Sequence, residues 1–107
     1  MRTPAEQLTA LDRVVHEPAR LAILTALSAC RDAEFLYLQR LTGCTAGNLS
    51  GHLKKLEEAG LLTIAKSFNG KIPLTTAAIT ATGRKAIDRY WRELQTLKTS
   101  LETWTPT

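Results

Sequence analysis

Two cysteines in 107 residues, Cys30 and Cys44, are too few for a disulfide framework, which fits a reducing cytoplasm. The two histidines, His16 and His52, stand far apart and no cysteines are paired, so no metal is expected. No apolar run approaches the roughly 18 residues of a membrane span, and no signal-peptide pattern opens the chain. The expectation is a cytoplasmic protein without a membrane partner. The chain also lacks a phosphate-binding glycine loop, a Ser/His/Asp or Cys/His grouping and paired carboxylates in an evident cleft, so neither an enzyme nor a cofactor is expected. Acid is in deficit too: 10 Asp and Glu against 14 Lys and Arg give a formal net charge of +4. The sequence pI near 9.4 favours a polyanionic partner, although many basic proteins bind no nucleic acid.

What is present is organised around Thr45 to Gly60. This stretch reads as an amphipathic helix with both ends written in: Thr45 is a good N-cap, Gly60 suits the left-handed C′ position, and no proline intervenes. Leu49, Leu53 and Leu56 form one narrow apolar stripe. The opposite face is centred on Gly47, Gly51, Lys54 and Glu58, with Asn48 and Lys55 at one edge and Ser50 at the other. Each glycine costs the helix roughly 1 kcal/mol relative to alanine. Two readings are open. The glycines are neutral drift on a solvated face, or they let something come close, as in a helix whose N-terminal half enters a DNA major groove.

The flanking elements favour the second reading. Ala5 to about Val15 reads as a first helix, with Leu8, Leu11 and Val15 at helical spacing behind Thr3 and Pro4. Pro18 to about Ala29 carries the denser apolar pattern of a central buried helix. Glu34 to Leu41 gives a short third helix with Phe35, Leu38 and Leu41 on one side. The tight turn Thr42-Gly43-Cys44 then completes a helix-turn-helix arrangement with the stretch from Thr45. After Gly60 the period drops to two, and Leu62 to Ile79 reads as a hairpin with a loop at residues 68–71. Its tip has Lys66 and Lys71 flanking an Asn-Gly turn signal. That arrangement suits a wing against a phosphate backbone, or a solvated hairpin whose lysines discourage edge pairing.

Thr80 caps a last helix running to about Leu101, in which Gly83 is tolerated. Ile87, Tyr90, Leu94, Leu97 and Leu101 form an a/d seam that calls for another helix. With Leu8 and Leu11 also peripheral, a homodimer is the simplest use of these stripes; folding of the last helix onto the first is the alternative. Trp91 is placed in that interface, and Trp104 has no assignment.

Helix, helix, helix-turn-helix, basic hairpin and long helix is the order of a winged helix-turn-helix domain. The fold class is therefore mainly α with a small β-hairpin wing, one domain over residues 1–107. Its core lies at about 16–80, with dimerisation helices at about 5–15 and 80–101. Residues 11–24, 47–60 and 66–71 resemble, in order, small winged-helix transcriptional regulators related to the MarR and ArsR groups. The resemblance spans roughly Leu11 to Tyr90. It implies a dimeric, sequence-specific regulator of double-stranded DNA with a pseudo-palindromic operator, the helix from Thr45 in the major groove and the hairpin at the adjacent backbone or minor groove. Members typically have a proline after the threonine that opens the last helix and an aromatic in the second wing strand. This chain has Ala81 in the first place and Ala77-Ala78 near the second.

On that reading Thr45, Gly47, Asn48, Ser50 and Gly51 are candidates for contact at or near base edges, Asn48 above all because a carboxamide bonds bidentately to adenine. Lys54, Lys55, Lys66 and Lys71 are assigned to phosphates. His52 is either a half-buried packing residue or a phosphate donor, and Arg20 either an ion-pair partner within the fold or a phosphate contact. Cys44, before a helix N-terminus, is a redox thiol or, more simply, a small buried hydrophobe. The sequence leaves open whether a small-molecule effector binds, and the metal-sensing motif of ArsR-like proteins is absent. The rival function is a winged helix used as a protein-protein interaction module, which usually shows an apolar patch where this chain carries lysines.

Overall fold

The leucine stripe of the central stretch is built into the core: Leu49, Leu53 and Leu56 are all buried. The computed structural model describes residues 2–106. Five helices and a three-stranded antiparallel sheet follow in the order α1 (Pro4–Thr9), α2 (Pro18–Ser28), β1 (Ala33–Glu34), α3 (Phe35–Thr42), α4 (Ala46–Glu58), β2 (Leu62–Asn69), β3 (Ile72–Ile79) and α5 (Ala81–Thr103). α2 is the central helix, and its Ile23, Leu24 and Leu27 are fully enclosed. The molecule is elongated, 64 × 26 × 21 Å.

α1 ends at Thr9 rather than at Val15. The cause is Asp12, whose Oδ1 accepts hydrogen bonds from the amides of Val14 (2.9 Å) and Val15 (3.4 Å) and draws the chain into a turn. Leu11 and Val15 still point inward, from turn rather than helix. β1 was not foreseen. Ala33 and Glu34 pair with Ala77 and Thr76, giving the strand order β1-β3-β2. The hairpin is longer than expected, since Phe68 and Asn69 belong to β2 and Asn69 pairs with Ile72. The turn is thus Gly70-Lys71, with positive φ at Gly70 (67°) alone, as a type II′ turn requires.

α4 begins and ends as the sequence predicts. Thr45 Oγ1 accepts from the Asn48 amide at 3.1 Å, and Gly60 is left-handed (φ 76°). The Gly60 amide donates to the Glu57 carbonyl and the Leu61 amide to the Leu56 carbonyl, both at 2.9 Å. These are the paired bonds of a Schellman motif, closed by the buried Leu61 next to Leu56. The start of α5 is bolted to this end. Thr80 donates its amide to the Leu61 carbonyl (3.0 Å) and its hydroxyl to the Gly60 carbonyl (2.6 Å), while its Oγ1 accepts from the Gly83 amide (2.9 Å). Gly83 is therefore required rather than tolerated: a Cβ there would collide with the Leu61 carbonyl oxygen and lie 2.8 Å from Ile79 Cγ1.

The α5 seam finds partners inside the chain. Leu11, Ile87 and Tyr90 belong to the chain's own core, which therefore reaches beyond residues 16–80, and Leu94 packs half-buried against it. α1 lies along α5, and Leu97 is buried as well. Leu11, Ile87, Tyr90 and Leu97 are thus corrected from interface candidates to residues enclosed within one chain. The fold-back alternative accounts for them, because α1 and α2 supply the helices that the seam calls for. Leu8, Trp91 and Leu101 remain about half exposed.

Candidate nucleic-acid interface

Thr45, Gly47, Asn48, Ser50, Gly51, Lys54 and Lys55 are all exposed along one side of α4. The Thr45 hydroxyl already accepts the Asn48 amide, so its first duty is the cap. The Asn48, Lys54 and Lys55 side chains have no hydrogen-bond or ion-pair partner among the described residues. A Cβ at Gly47 or Gly51 would meet nothing within 4 Å. Internal packing thus gives no reason for either glycine; alanine would fit and would strengthen the helix.

The wing stands beside this face. Lys66 and Lys71 are exposed, and residues 62–79 contain no acidic side chain. Between α4 and the wing lies an open cleft of about 370 Å³ lined by Phe35, Ser50, Leu53, Ile64, Lys66 and Thr75. Ser50 and Lys66, assigned separately from sequence, therefore share one concavity, joined by Thr75. The sequence singled out no role for Thr75; the register that sets it opposite Lys66 is what identifies it.

Behind α4 a polar network fixes its position. Arg20 is buried, 9% exposed. Its Nε donates to the Val14 carbonyl at 2.6 Å and its Nη2 to the Arg13 carbonyl at 3.3 Å. Its Nη1 lies 3.2 Å from His52 Nδ1, which accepts when the ring is neutral with its proton on Nε2. Arg20 is therefore an internal strut between the α1–α2 turn and α4, and His52 is its half-buried contact on α4. The same turn reaches α5, since His16 Nδ1 is 2.8 Å from the Tyr90 hydroxyl.

Glu17, which the sequence reading left without a role, caps α2 by accepting from the amides of Ala19 (3.1 Å) and Arg20 (2.8 Å), and its Oε2 lies 3.6 Å from His52 Nδ1. A Glu-Pro pair before an apolar run was the available signal. Burial pushes its carboxyl up. The two backbone amides, with the positive fields of His52 when its ring is protonated and of Arg20, outweigh burial and hold it below its ordinary value of 4.5. A depressed folded-state value means that the ionised carboxylate adds stability above pH 4.5, which disappears as the pH falls through the folded value. Denaturant titrations of Glu17→Gln should accordingly show a deficit near neutral pH that closes in acid. A deficit independent of pH would remove the charge from the account.

Cys30 and Cys44 are free thiols packed partly buried against the core, as small hydrophobes pack. Among the described residues no group of three or more His, Cys, Asp or Glu side chains is placed to hold a metal, and no helix is long and apolar enough to cross a membrane.

The arrangement of α4 beside the β2–β3 hairpin and before the long α5 is a fold shared with known proteins. An uncharacterized protein of Methanocaldococcus jannaschii is 36% identical over 91 residues, 84% of this chain and 98% of the relative. The solved structure of a transcriptional regulator homologue protein from Pyrococcus horikoshii OT3 is similar at TM-score 0.81 and 30% identity, covering 90% of this chain and 97% of that one. A MarR family transcriptional regulator from Silicibacter pomeroyi DSS shares the fold at TM-score 0.63 and 20% identity, over 86% of this chain and 60% of that one. The family described as winged helix DNA-binding domain matches residues 19–97, most of the chain, and it is to this family of DNA-binding regulators that the protein belongs.

Proposed function

We propose that the protein is a homodimeric, sequence-specific regulator of transcription that reads double-stranded DNA with α4 in the major groove and the wing on the adjacent backbone. The observation that carries this reading is the outer face of α4, where Gly47 and Gly51 have open space above them and the side chains of Asn48, Ser50, Lys54 and Lys55 have no hydrogen-bond or ion-pair partner among the described residues. A helix gives up stability at two exposed positions to no internal benefit; close approach to a base edge supplies the benefit. Asn48 is the direct reader, with Thr45, Gly47, Ser50 and Gly51 around it. Lys54, Lys55, Lys66 and Lys71 hold phosphates. The second copy covers apolar side chains left outside the core, Leu8, Trp91 and Leu101, with Leu94 beside them. Two-fold symmetry then calls for a pseudo-palindromic operator with half-sites about one helical turn apart. The protein acts in the cytoplasm without a cofactor.

Selection of duplexes from a random pool, followed by titration over a salt series, tests the reading. Asn48→Ala should lose roughly 1 to 3 kcal/mol on the selected duplex and relax preference at one position, while Lys71→Ala should weaken all duplexes alike and reduce the log-log salt slope by about 1. Equal weakening of selected and random duplexes by Asn48→Ala would remove it as a reader. A monomer in sedimentation at micromolar concentration would defeat the two-fold geometry.

A further inference from the structure

The wing tip carries two large apolar side chains that the fold does not use. Phe68 is 72% exposed and Ile72 is 68% exposed, more than any other large hydrophobic side chain of the described chain. On its own strand Phe68 is the one large apolar residue near the tip. The register adds Ile72: Phe68 sits opposite Pro73 and Asn69 opposite Ile72, so Phe68 and Ile72 lie on opposite faces of the ribbon, one pair apart. The cleft lining fixes which face is which. Ile64 and Lys66 look toward Ser50 and Leu53 of α4, and Phe68 continues that face about 6.6 Å beyond Lys66. The only charges on the ribbon are the two lysines, one before the tip and one in the turn.

We propose that the wing tip is an apolar wedge for the DNA minor groove, with Phe68 and Ile72 set against its two deoxyribose walls and Lys66 and Lys71 on the flanking phosphates. The inference rests on α4 occupying the neighbouring major groove. Its new content is that the wing opens and bends the duplex. A minor groove about 6 Å across admits the backbone of a hairpin tip but not side chains on both faces, so entry requires the groove to widen. Apolar side chains stabilise a widened groove by covering sugar and base surface that water would otherwise meet, and they kink the duplex toward the major groove. The charge pattern selects this occupant over an apolar protein surface, because a ribbon with two cations and no anion is matched by a groove walled with phosphates. Selectivity follows without base hydrogen bonds: easily unstacked pyrimidine–purine steps under the wings deform at least cost.

The test uses the full-length protein and a duplex recovered from random-sequence selection. Energy transfer between end-attached dyes reads the bend, and hydroxyl-radical cleavage reads deoxyribose protection. Phe68→Ala/Ile72→Ala should remove the sugar protection outboard of each half-site and most of the bend. It should weaken binding about tenfold and leave the salt slope unchanged, because no phosphate contact is lost. Phe68→Leu should retain most of the bend. Both positions are exposed, so circular dichroism melting of the variant should match the parent. A double variant that bends and protects like the parent overturns the wedge while leaving the regulator reading standing. So does one whose only change is in self-association, which would make the tip a protein contact. A parent that binds no duplex defeats the regulator reading and the wedge together.

Discussion

Gly83→Ala should lower the free energy of unfolding by about 3 kcal/mol, read as a fall in the denaturant midpoint at unchanged slope. On helix propensity alone the substitution would stabilise, since alanine exceeds glycine by about 1 kcal/mol in a helix. Sterics reverse the sign. The new methyl would occupy the space of the Leu61 carbonyl oxygen, an atom held by the Thr80 amide and unable to rotate away as a side chain does. Relief requires α5 to lift from the end of α4. That movement breaks the Thr80 bonds to Gly60 and Leu61 and opens the core at Ile79 and Leu61. Gly47→Ala and Gly51→Ala are the controls: with nothing near either position, each should raise stability by up to about 1 kcal/mol. A Gly83→Ala variant as stable as the parent would mean that the two helices are not locked together.

Arg20→Met should cost about 2 to 3 kcal/mol although the methionine preserves most of the apolar stem. The guanidinium serves two carbonyls and a ring nitrogen at once, and its removal leaves the partly buried carbonyl of Val14 without its donor. Arg20→Lys should recover little, because a single ammonium cannot reach three acceptors spread around a planar fork. A double-mutant cycle with His52→Ala separates the strut from general packing: the two losses should be non-additive if Arg20 acts partly through His52. Additive losses, or an Arg20→Met variant within about 0.5 kcal/mol of the parent, would return Arg20 to the surface role left open by the sequence.

The two residues illustrate what a sequence shows and what it hides. Both ends of α4 and its buried stripe were legible because capping chemistry and a 3.6-residue period act within one turn or two of the residue that specifies them. The exposure of Asn48, Ser50, Lys54 and Lys55 followed from the same period. Gly83 was misread because its neighbour is a carbonyl some twenty positions away, and no local rule reports that distance. Asp12 ends the helix that the spacing of Leu8, Leu11 and Val15 predicts, and the inward positions of Leu11 and Val15 are reached from a turn instead. β1, two residues long, has no period to detect. The a/d seam of α5 was read correctly as a helix in need of partners, but a pattern names no partner, and α1 and α2 stood ready in the same chain. Ile72 counted as an ordinary strand residue until the register carried it past the edge of the body.

The locked corner of Gly60, Leu61, Thr80 and Gly83 has an evolutionary corollary. With no hinge between α4 and α5, the distance between the two α4 faces of the proposed dimer would be set by the angle at which two copies meet. α5 has 23 residues and is about 34 Å long, so a rotation of about 5° at its far end sweeps its near end by about 3 Å, close to the 3.4 Å rise of one base pair. On the proposed geometry, changes at interface positions such as Trp91 or Leu101 would be a route by which operator spacing drifts by single base pairs while the α4 surface stays intact.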